Sequence, residues 1–386
     1  MIAYASGNHL QLLRNGEQYF PALAAAIDAA AEEVFLETYI FADDQTGSLI
    51  ADCLARAAAR GVTVHLLIDG FGARDFAPRF RDMLREAGVQ LLVYRPDISP
   101  WRWRHRRTPL RRMHRKLACA DARVAFVGGI NVIDDFDTPG QTPPRYDYAV
   151  RIEGPLAAMV RQQAARLWMR VAWANLRRRW PTPARAPRAP LQGGARAALV
   201  VRDSLRHRRD IEDAYLELIA AAREEVLIAC AYFFPGRRFR RALADAAARG
   251  VRVRLLLQGR VEYVLLHYAA RALYGSLLEA GIEIHEYQRS FLHAKVAVFD
   301  RRVASVGSSN IDVFSLLLAR EANVFVDDAA FAAALHASLH EAMRGGARAV
   351  PRERWRRLPL PLRARIWIGY GLARLLMLFY GYAREH

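Results

Sequence analysis

The chain has 386 residues, 53% of them hydrophobic and 25% charged, which excludes a disordered or low-complexity protein and allows two domains with cores of their own. Its 57 Lys+Arg against 39 Asp+Glu leave a net charge of +18 and a pI near 10.5. Such a surface attracts polyanions, either an anionic membrane or nucleic acid. Three scattered cysteines, Cys53, Cys119 and Cys230, form no C-x-x-C pair, so they read as buried apolar residues rather than a disulfide or zinc framework. Residues 1–16 lack the apolar core of a signal peptide, and no stretch offers the roughly 20 uncharged apolar residues of a spanning helix.

From the N-terminus, an Ala-rich stretch from Ala22 to Glu33 reads as a helix and leads into the apolar run Glu32 to Phe41. A second helix ends at Arg60-Gly61, with the glycine as its C-terminal cap, and the strand-like Val62 to Asp69 follows at once. The same order returns about 190 residues later. Glu32-Glu-Val-Phe-Leu is answered by Glu224-Glu-Val-Leu-Ile, Arg60-Gly-Val by Arg249-Gly-Val, and Glu86-Ala-Gly by Glu279-Ala-Gly. Strands alternating with helices, twice over, predict an α/β protein of two similar α/β/α sandwich domains from an internal duplication. The expected boundaries are a first domain over 1–175, a Pro/Arg-rich linker over 176–196, a second domain over 197–345 and a basic amphipathic tail over 346–386.

The most informative repeat is His114-Arg-Lys116-Leu-Ala-Cys-Ala-Asp121, which returns as His293-Ala-Lys295-Val-Ala-Val-Phe-Asp300. Each copy is followed at one offset by a small-residue turn and an asparagine, Gly128-Gly-Ile-Asn131 and Gly307-Ser-Ser-Asn310. Met113 to Ala118 and Leu292 to Phe299 read as strands, in which residues two apart share a face, so each histidine points with its lysine into one space. Two imidazoles, two ammonium groups and two amides around one point suit a phosphodiester. The lysines and asparagines neutralise the non-bridging oxygens, one histidine attacks phosphorus, and the other protonates the leaving oxygen. The expected active site lies at the interface of the two domains. Asp121 and Asp300 are counted with the catalytic set, although each sits past the phosphate-facing stretch and could instead brace the turn by an ion pair. This chemistry requires no metal or other cofactor, and no H-E-x-x-H or carboxylate cage is present to hold one.

A doubled H-x-K-x4-D-x6-G-[GS]-x-N over roughly Gly7 to Val326 resembles the phospholipase D superfamily. The resemblance implies a phosphohistidine intermediate, with His114 as nucleophile and His293 as general acid. It also implies that an acidic residue beyond each motif, Asp147 and Glu321, orients the opposite half's histidine. Leu12 to Phe20, Phe35-Leu-Glu-Thr-Tyr39, Arg112 to Lys116, Ala231 to Gly236 and Val306 to Asp312 are similar to the B-type branch of bacterial cardiolipin synthases. That branch transfers a phosphatidyl group from one phosphatidylglycerol to another, giving cardiolipin and glycerol. The turn Leu318-Ala-Arg-Glu321 departs from relatives that carry Asn before the acidic residue.

Two segments suit an anionic phospholipid membrane as partner. Trp101-Arg-Trp-Arg-His-Arg-Arg107 is aromatic and basic, and Ile366 to Tyr382 is apolar with arginines upstream, a pattern for a helix lying in the interface. The expectation is a peripheral enzyme on the cytoplasmic face of a bacterial membrane, with no obligatory nucleic acid. The alternatives are a hydrolase or head-group exchange enzyme on the same site, a nuclease of the same superfamily, and, least, a binding module without activity.

Overall fold

The computed structural model describes residues 2–96, 112–138, 142–175, 191–203, 207–261, 264–312 and 319–379. The Trp/Arg segment 101–107 and the Pro/Arg-rich run 177–190 lie outside them.

The first half carries strands β1 (Ala5–Arg14), β2 (Glu33–Thr38), β3 (Thr63–Asp69), β4 (Gln90–Tyr94), β5 (Lys116–Ala120), β6 (Val124–Gly128) and β7 (Tyr148–Glu153), with helices α1 (Asn15–Asp28), α2 (Gln45–Ala59), α3 (Pro78–Glu86) and α4 (Pro155–Ala174). The second carries β8 (Ala195–Arg202), β9 (Glu225–Cys230), β10 (Phe233–Phe234), β11 (Arg252–Gln258), β12 (Glu283–Tyr287), β13 (Lys295–Phe299), β14 (Val303–Gly307), β15 (Ile311–Asp312) and β16 (Glu321–Asp327). Its helices are α5 (Asp210–Ala221), α6 (Arg237–Ala248), α7 (Val264–Arg271), α8 (Tyr274–Glu279) and the long helix Ala329–Gly346.

The strand order in the first half is β1-β7-β6-β5-β2-β3-β4, and in the second β8-β16-β14-β13-β9-β11-β12. The two orders match element for element, which is the duplication in three dimensions. Every residue of β5, β9 and β13 is buried. Helices cover both faces of the sheet, so these strands read as apolar runs with little alternation. Gly61 and Gly250 stand at φ +91° and +87° after α2 and α6, the left-handed cap their positions predict.

Three departures from the sequence reading have physical causes. First, β1 and β8 pair antiparallel, so the two half-sheets fuse into one 15-stranded sheet closed at one end by a short strand β17 (Ala347–Ala349) on β12. Each half keeps its own core under its outer helices, but a third core joins α4 (Trp168, Leu156) to the helix Ala329–Gly346 (Leu335, Leu339) across both halves. Second, α1 begins at Asn15 rather than Ala22 and runs through Pro21. Burial of Tyr19, Phe20, Leu23 and Ile27 on the sheet outweighs the hydrogen bond that proline removes.

Third, the tail is part of the fold. β17 belongs to the sheet, Trp355 packs on Tyr274 with ring centroids 5.0 Å apart, and the helix Leu360–Phe379 lies along α7. One face of that helix, Ile366, Gly369 and Ala373, is buried, and Gly369 comes so close that a Cβ there would meet Tyr268 at 2.8 Å. The opposite face leaves Trp367 and Ile368 about 60% exposed, with Leu372 and Leu375 beside them. Among the described residues no helix is long and apolar enough to cross a membrane.

Candidate active site

The segment before each motif strand pairs with the other half. His114 N–H donates to Arg320 O at 3.0 Å, and Arg320 N–H donates back to Arg112 O at 2.7 Å. In the same way His293 N–H donates to Tyr146 O and Tyr146 N–H to Phe291 O, both at 2.8 Å. The strands proper begin only at Lys116 and Lys295, three residues later than the histidine-containing strands the sequence predicts. The histidine segments are diverted into these cross-half bridges. Arg320 and Tyr146 are each followed by the opposite half's acidic residue, so the bridges carry the carboxylates to the imidazoles.

His114 Nδ1 lies 3.0 Å from Glu321 Oε1, and His293 Nδ1 lies 2.6 Å from Asp147 Oδ2. An ionised carboxylate can only accept, so Nδ1 carries the proton and each Nε2 keeps a lone pair. Lys116 Nζ donates to His114 O at 2.7 Å and Lys295 Nζ to His293 O. Lys295 also stands 3.8 Å from Asp147, and Lys116 sits over the Tyr39 ring at 5.3 Å, with that ring edge-on to His114. Both lysines are almost fully buried.

Burial, and then the nearby lysines, hold both imidazoles below their ordinary range. His293 is driven well below it, with Lys295 and Arg145 adding to burial, whereas Glu321 opposes the shift at His114. Burial pushes Asp147 up to about 6 against the pull of Lys295. Burial would raise Glu321 too, but His114, Lys116 and the Ser308 hydroxyl together hold it below the usual carboxylate range. Lys116 is pulled down to about 7, first by burial and then by Lys295, against the opposing Glu321.

Asn131 and Asn310 are buried at the ends of the turns; Asn131 Oδ1 accepts from Ile40 N–H at 3.2 Å, which leaves its amide NH2 available, and Asn310 Oδ1 has no hydrogen-bond partner. Asp121 and Asp300 stand elsewhere. They lie just past the far ends of β5 and β13, five residues from the lysines, or about 16 Å at about 3.3 Å per residue. Asp121 accepts from the N–H groups of Ala31, Glu32 and Glu33 at 2.8–2.9 Å, and Asp300 from those of Arg223, Glu224 and Glu225 at 2.8–2.9 Å. Both have φ near +50°, a turn conformation that aspartate tolerates. They tie the hairpin turn to the entry of β2 and β9. Their place in the catalytic set is therefore corrected to bracing, and the bracing uses backbone amides rather than the ion pair considered from sequence.

Sequence reasoning missed several supports. Asp69, fully buried, accepts Met113 N–H at 2.9 Å, and its counterpart Gln258 accepts Leu292 N–H at 3.4 Å. Both end matched strands of the repeat, a signal visible in the alignment of the two halves. Ser308 Oγ donates to Glu321 at 2.5 Å, while its counterpart Gly129 has no side chain because a Cβ would strike the Asp147 carboxylate at 2.4 Å. Among the described residues one group with metal-ligand geometry, Glu225, His336 and His340, lies away from this site. The Arg254 guanidinium already donates to Glu225 and contacts His340 there, in the place a cation would take.

Comparison with known proteins agrees with this arrangement. A family model described as "Cardiolipin synthase, PLD-like domain" matches residues 23–168 and 215–343. Cardiolipin synthase B of Escherichia coli (strain K12) is 41% identical over 347 residues, 88% of this chain and 81% of that protein. Cardiolipin synthase A of Pseudomonas putida is 32% identical over 87% of this chain and 68% of that protein. The crystal structure of phosphatidylserine synthase from Haemophilus influenzae superposes with a TM-score of 0.70 over 97% of this chain and 95% of that one, at 12% identity, a likeness of fold. On its doubled motif, its fold and these relatives, the chain belongs to the cardiolipin synthase family of phospholipase D-like proteins.

Proposed function

We infer that the chain is a cardiolipin synthase, a phosphatidyltransferase that joins two phosphatidylglycerol molecules and releases glycerol. The observation that carries the reading is the crossed pair: two buried His–Lys sets, each histidine held by the other half's carboxylate. His114 Nε2 attacks phosphorus, forming a P–N bond as the P–O bond to the head-group glycerol breaks, and His293 gives that oxygen its proton. A hydroxyl of the second phosphatidylglycerol then attacks the phosphohistidine, returns a proton to His293 and frees His114. Lys116, Lys295, Asn131 and Asn310 bind the non-bridging oxygens, while Asp147 and Glu321 position the imidazoles. An anionic diester between the lysines raises the depressed histidine, which lets the acid hold its proton once substrate is bound. The reversed order of roles has the same geometry behind it, since Asp147 holds His293 as Glu321 holds His114.

The membrane is the proposed partner, on the cytoplasmic face of a bacterial cell. The exposed face of the helix Leu360–Phe379 offers Trp367, Ile368 and Leu372 to the interface, with exposed Arg363 and Arg365 for anionic head groups. Purified protein with labelled phosphatidylglycerol vesicles should yield cardiolipin and glycerol, unaffected by chelator. Release of phosphatidic acid alone would replace transfer by hydrolysis, and efficient cutting of single-stranded DNA in place of lipid turnover would replace it by a nuclease. His114→Asn and His293→Asn should each remove turnover, and only the variant that keeps the nucleophile should accumulate acid-labile phosphoenzyme. Accumulation in His114→Asn would establish the reversed order.

A further inference from the structure

The two halves present different edges around the histidines. Both motifs open at the carboxyl ends of β2 and β9, where Leu117 stands opposite Glu37 and Lys295 opposite Cys230. The loops leaving that end of the sheet form the rim of the site, the usual place for a ligand in an open α/β sheet. In the first half the described rim carries Asp43, Asp75, Asp134 and Asp137 around the exposed Phe71 and Phe136. Arg79 and Arg74 pair with Asp43 and Asp75, but among the described residues no cation pairs with Asp134 or Asp137.

In the second half the rim is the corner between β11 and α7, where Val261 and Val264 are each more than half exposed. Gln258 ends β11 and accepts Leu292 N–H at 3.4 Å, beside His293. Val261 follows it within about 11 Å of chain. Val264 shares a face of α7 with Tyr268 one turn on, and Tyr268 is the residue that Gly369 of the C-terminal helix meets. The exposed Ile368 and Leu372 lie on either side of Gly369, so the corner and the outward face of that helix adjoin. Tyr370 packs on Phe234 with ring centroids 5.9 Å apart, and Phe234 pairs with Asp312, just past Asn310. The helix is thereby fixed beside the site. Neither α7 nor the helix Leu360–Phe379 contains an acidic residue, and Arg363 and Arg365 are exposed; the corner's own acid, Glu262, lies outside the described residues. An apolar surface edged by arginines and free of acids complements anionic lipid.

We propose that Val261, Val264 and the outward face of the C-terminal helix form one seat for an anionic bilayer, so that the site meets the membrane by its His293 side and lipid enters over the second half. The proposal rests on the phospholipid reading of the site and deepens it: the tail helix does more than anchor the chain, because with the β11–α7 corner it sets which edge of the site faces the lipid. The acidic edge around Phe136 takes no part in the seat.

The test uses the full chain, phosphatidylglycerol vesicles, and dihexanoyl phosphatidylglycerol kept monomeric. Val261→Glu with Val264→Glu changes exposed side chains and should keep its Tm. It should lower sedimentation with vesicles, and turnover of vesicle lipid, by at least about tenfold, while turnover of the monomeric lipid stays within about twofold of the parent. Val261→Ser with Val264→Ser, which removes apolar surface without adding charge, should lose vesicle binding by about threefold or more. Phe136→Glu should sediment as the parent does. Parent-level sedimentation of both valine variants, or an equal loss in Phe136→Glu, would overturn the seat. Equal losses on vesicles and on monomeric lipid would overturn it too, by placing the valines in the reaction. A parent dimer that the valine variants no longer form, with vesicle binding unchanged, would give the surface to a second copy of the chain. If the parent turned over neither form of phosphatidylglycerol yet the valine variants lost vesicle binding, the seat would stand and the functional reading beneath it would fall.

Discussion

At the proposed phosphate site, burial weighs on charge before any partner acts. Lys116 has been pulled down to about 7, so the free enzyme loses this cation as pH rises through that value. The basic limb of kcat/KM, which reports the free enzyme, should therefore start near pH 7. Lys116→Arg, whose charge persists, should move the limb upward at reduced activity; an unmoved limb would show that another group sets it. The motif aspartates make the opposite case. Asp121→Ala removes the acceptor of three N–H groups and should cost about 1–3 kcal/mol of stability, read as a lower Tm. Turnover per folded molecule should stay close to the parent value. A loss comparable to that of His114→Asn would return Asp121 to the reacting groups.

Among the elements, the C-terminal helix has two apolar faces with different tasks. Ile366, Gly369 and Ala373 hold it against α7, and Trp367, Ile368 and Leu372 face outward. Truncation after Pro351 would uncover the face of α7 and Phe234, so lower solubility and Tm are expected rather than a clean release from membranes. Trp367→Glu with Leu372→Glu leaves the docked face intact. This variant should keep its Tm yet sediment far less with phosphatidylglycerol vesicles. The arginines contribute on the order of 1 kcal/mol each near an anionic surface, a part that salt screens while the apolar part persists. Equal sedimentation of variant and parent at high salt would remove the outward face from membrane binding.

At the scale of the whole molecule, the proposed active site is assembled by the two halves exchanging carboxylates. Glu321 belongs to the second half and acts through His114, so the two should behave as one unit. Glu321→Gln and His114→Asn are expected to be strongly non-additive: the double variant should be hardly less active than His114→Asn alone. Additive losses would mean that Glu321 also works through another group. Asp147→Asn in the first half should likewise act through His293 in the second, shifting the acid limb of the pH profile along with the rate.

The amino-acid sequence by itself determined the duplication, the α/β/α class, the two histidine–lysine pairs and their asparagines. These depend on local periodicity and on repeated residue types, which survive in one dimension. It also marked Asp147 and Glu321, through the family their motifs resemble. The tertiary structure decided the rest. That β1 pairs with β8, and that each histidine segment leaves its strand to bridge the other half, are contacts between residues far apart in the chain; no local pattern encodes them. Asp121 counts with the catalytic set as a member of the motif, although it sits past the phosphate-facing stretch; only the positive φ and the three amides beside it show a turn anchor. The tail's arginines and aromatics were legible as an amphipathic helix, but which face docks and which stays open depended on the shape of α7, where Gly369 alone fits against Tyr268.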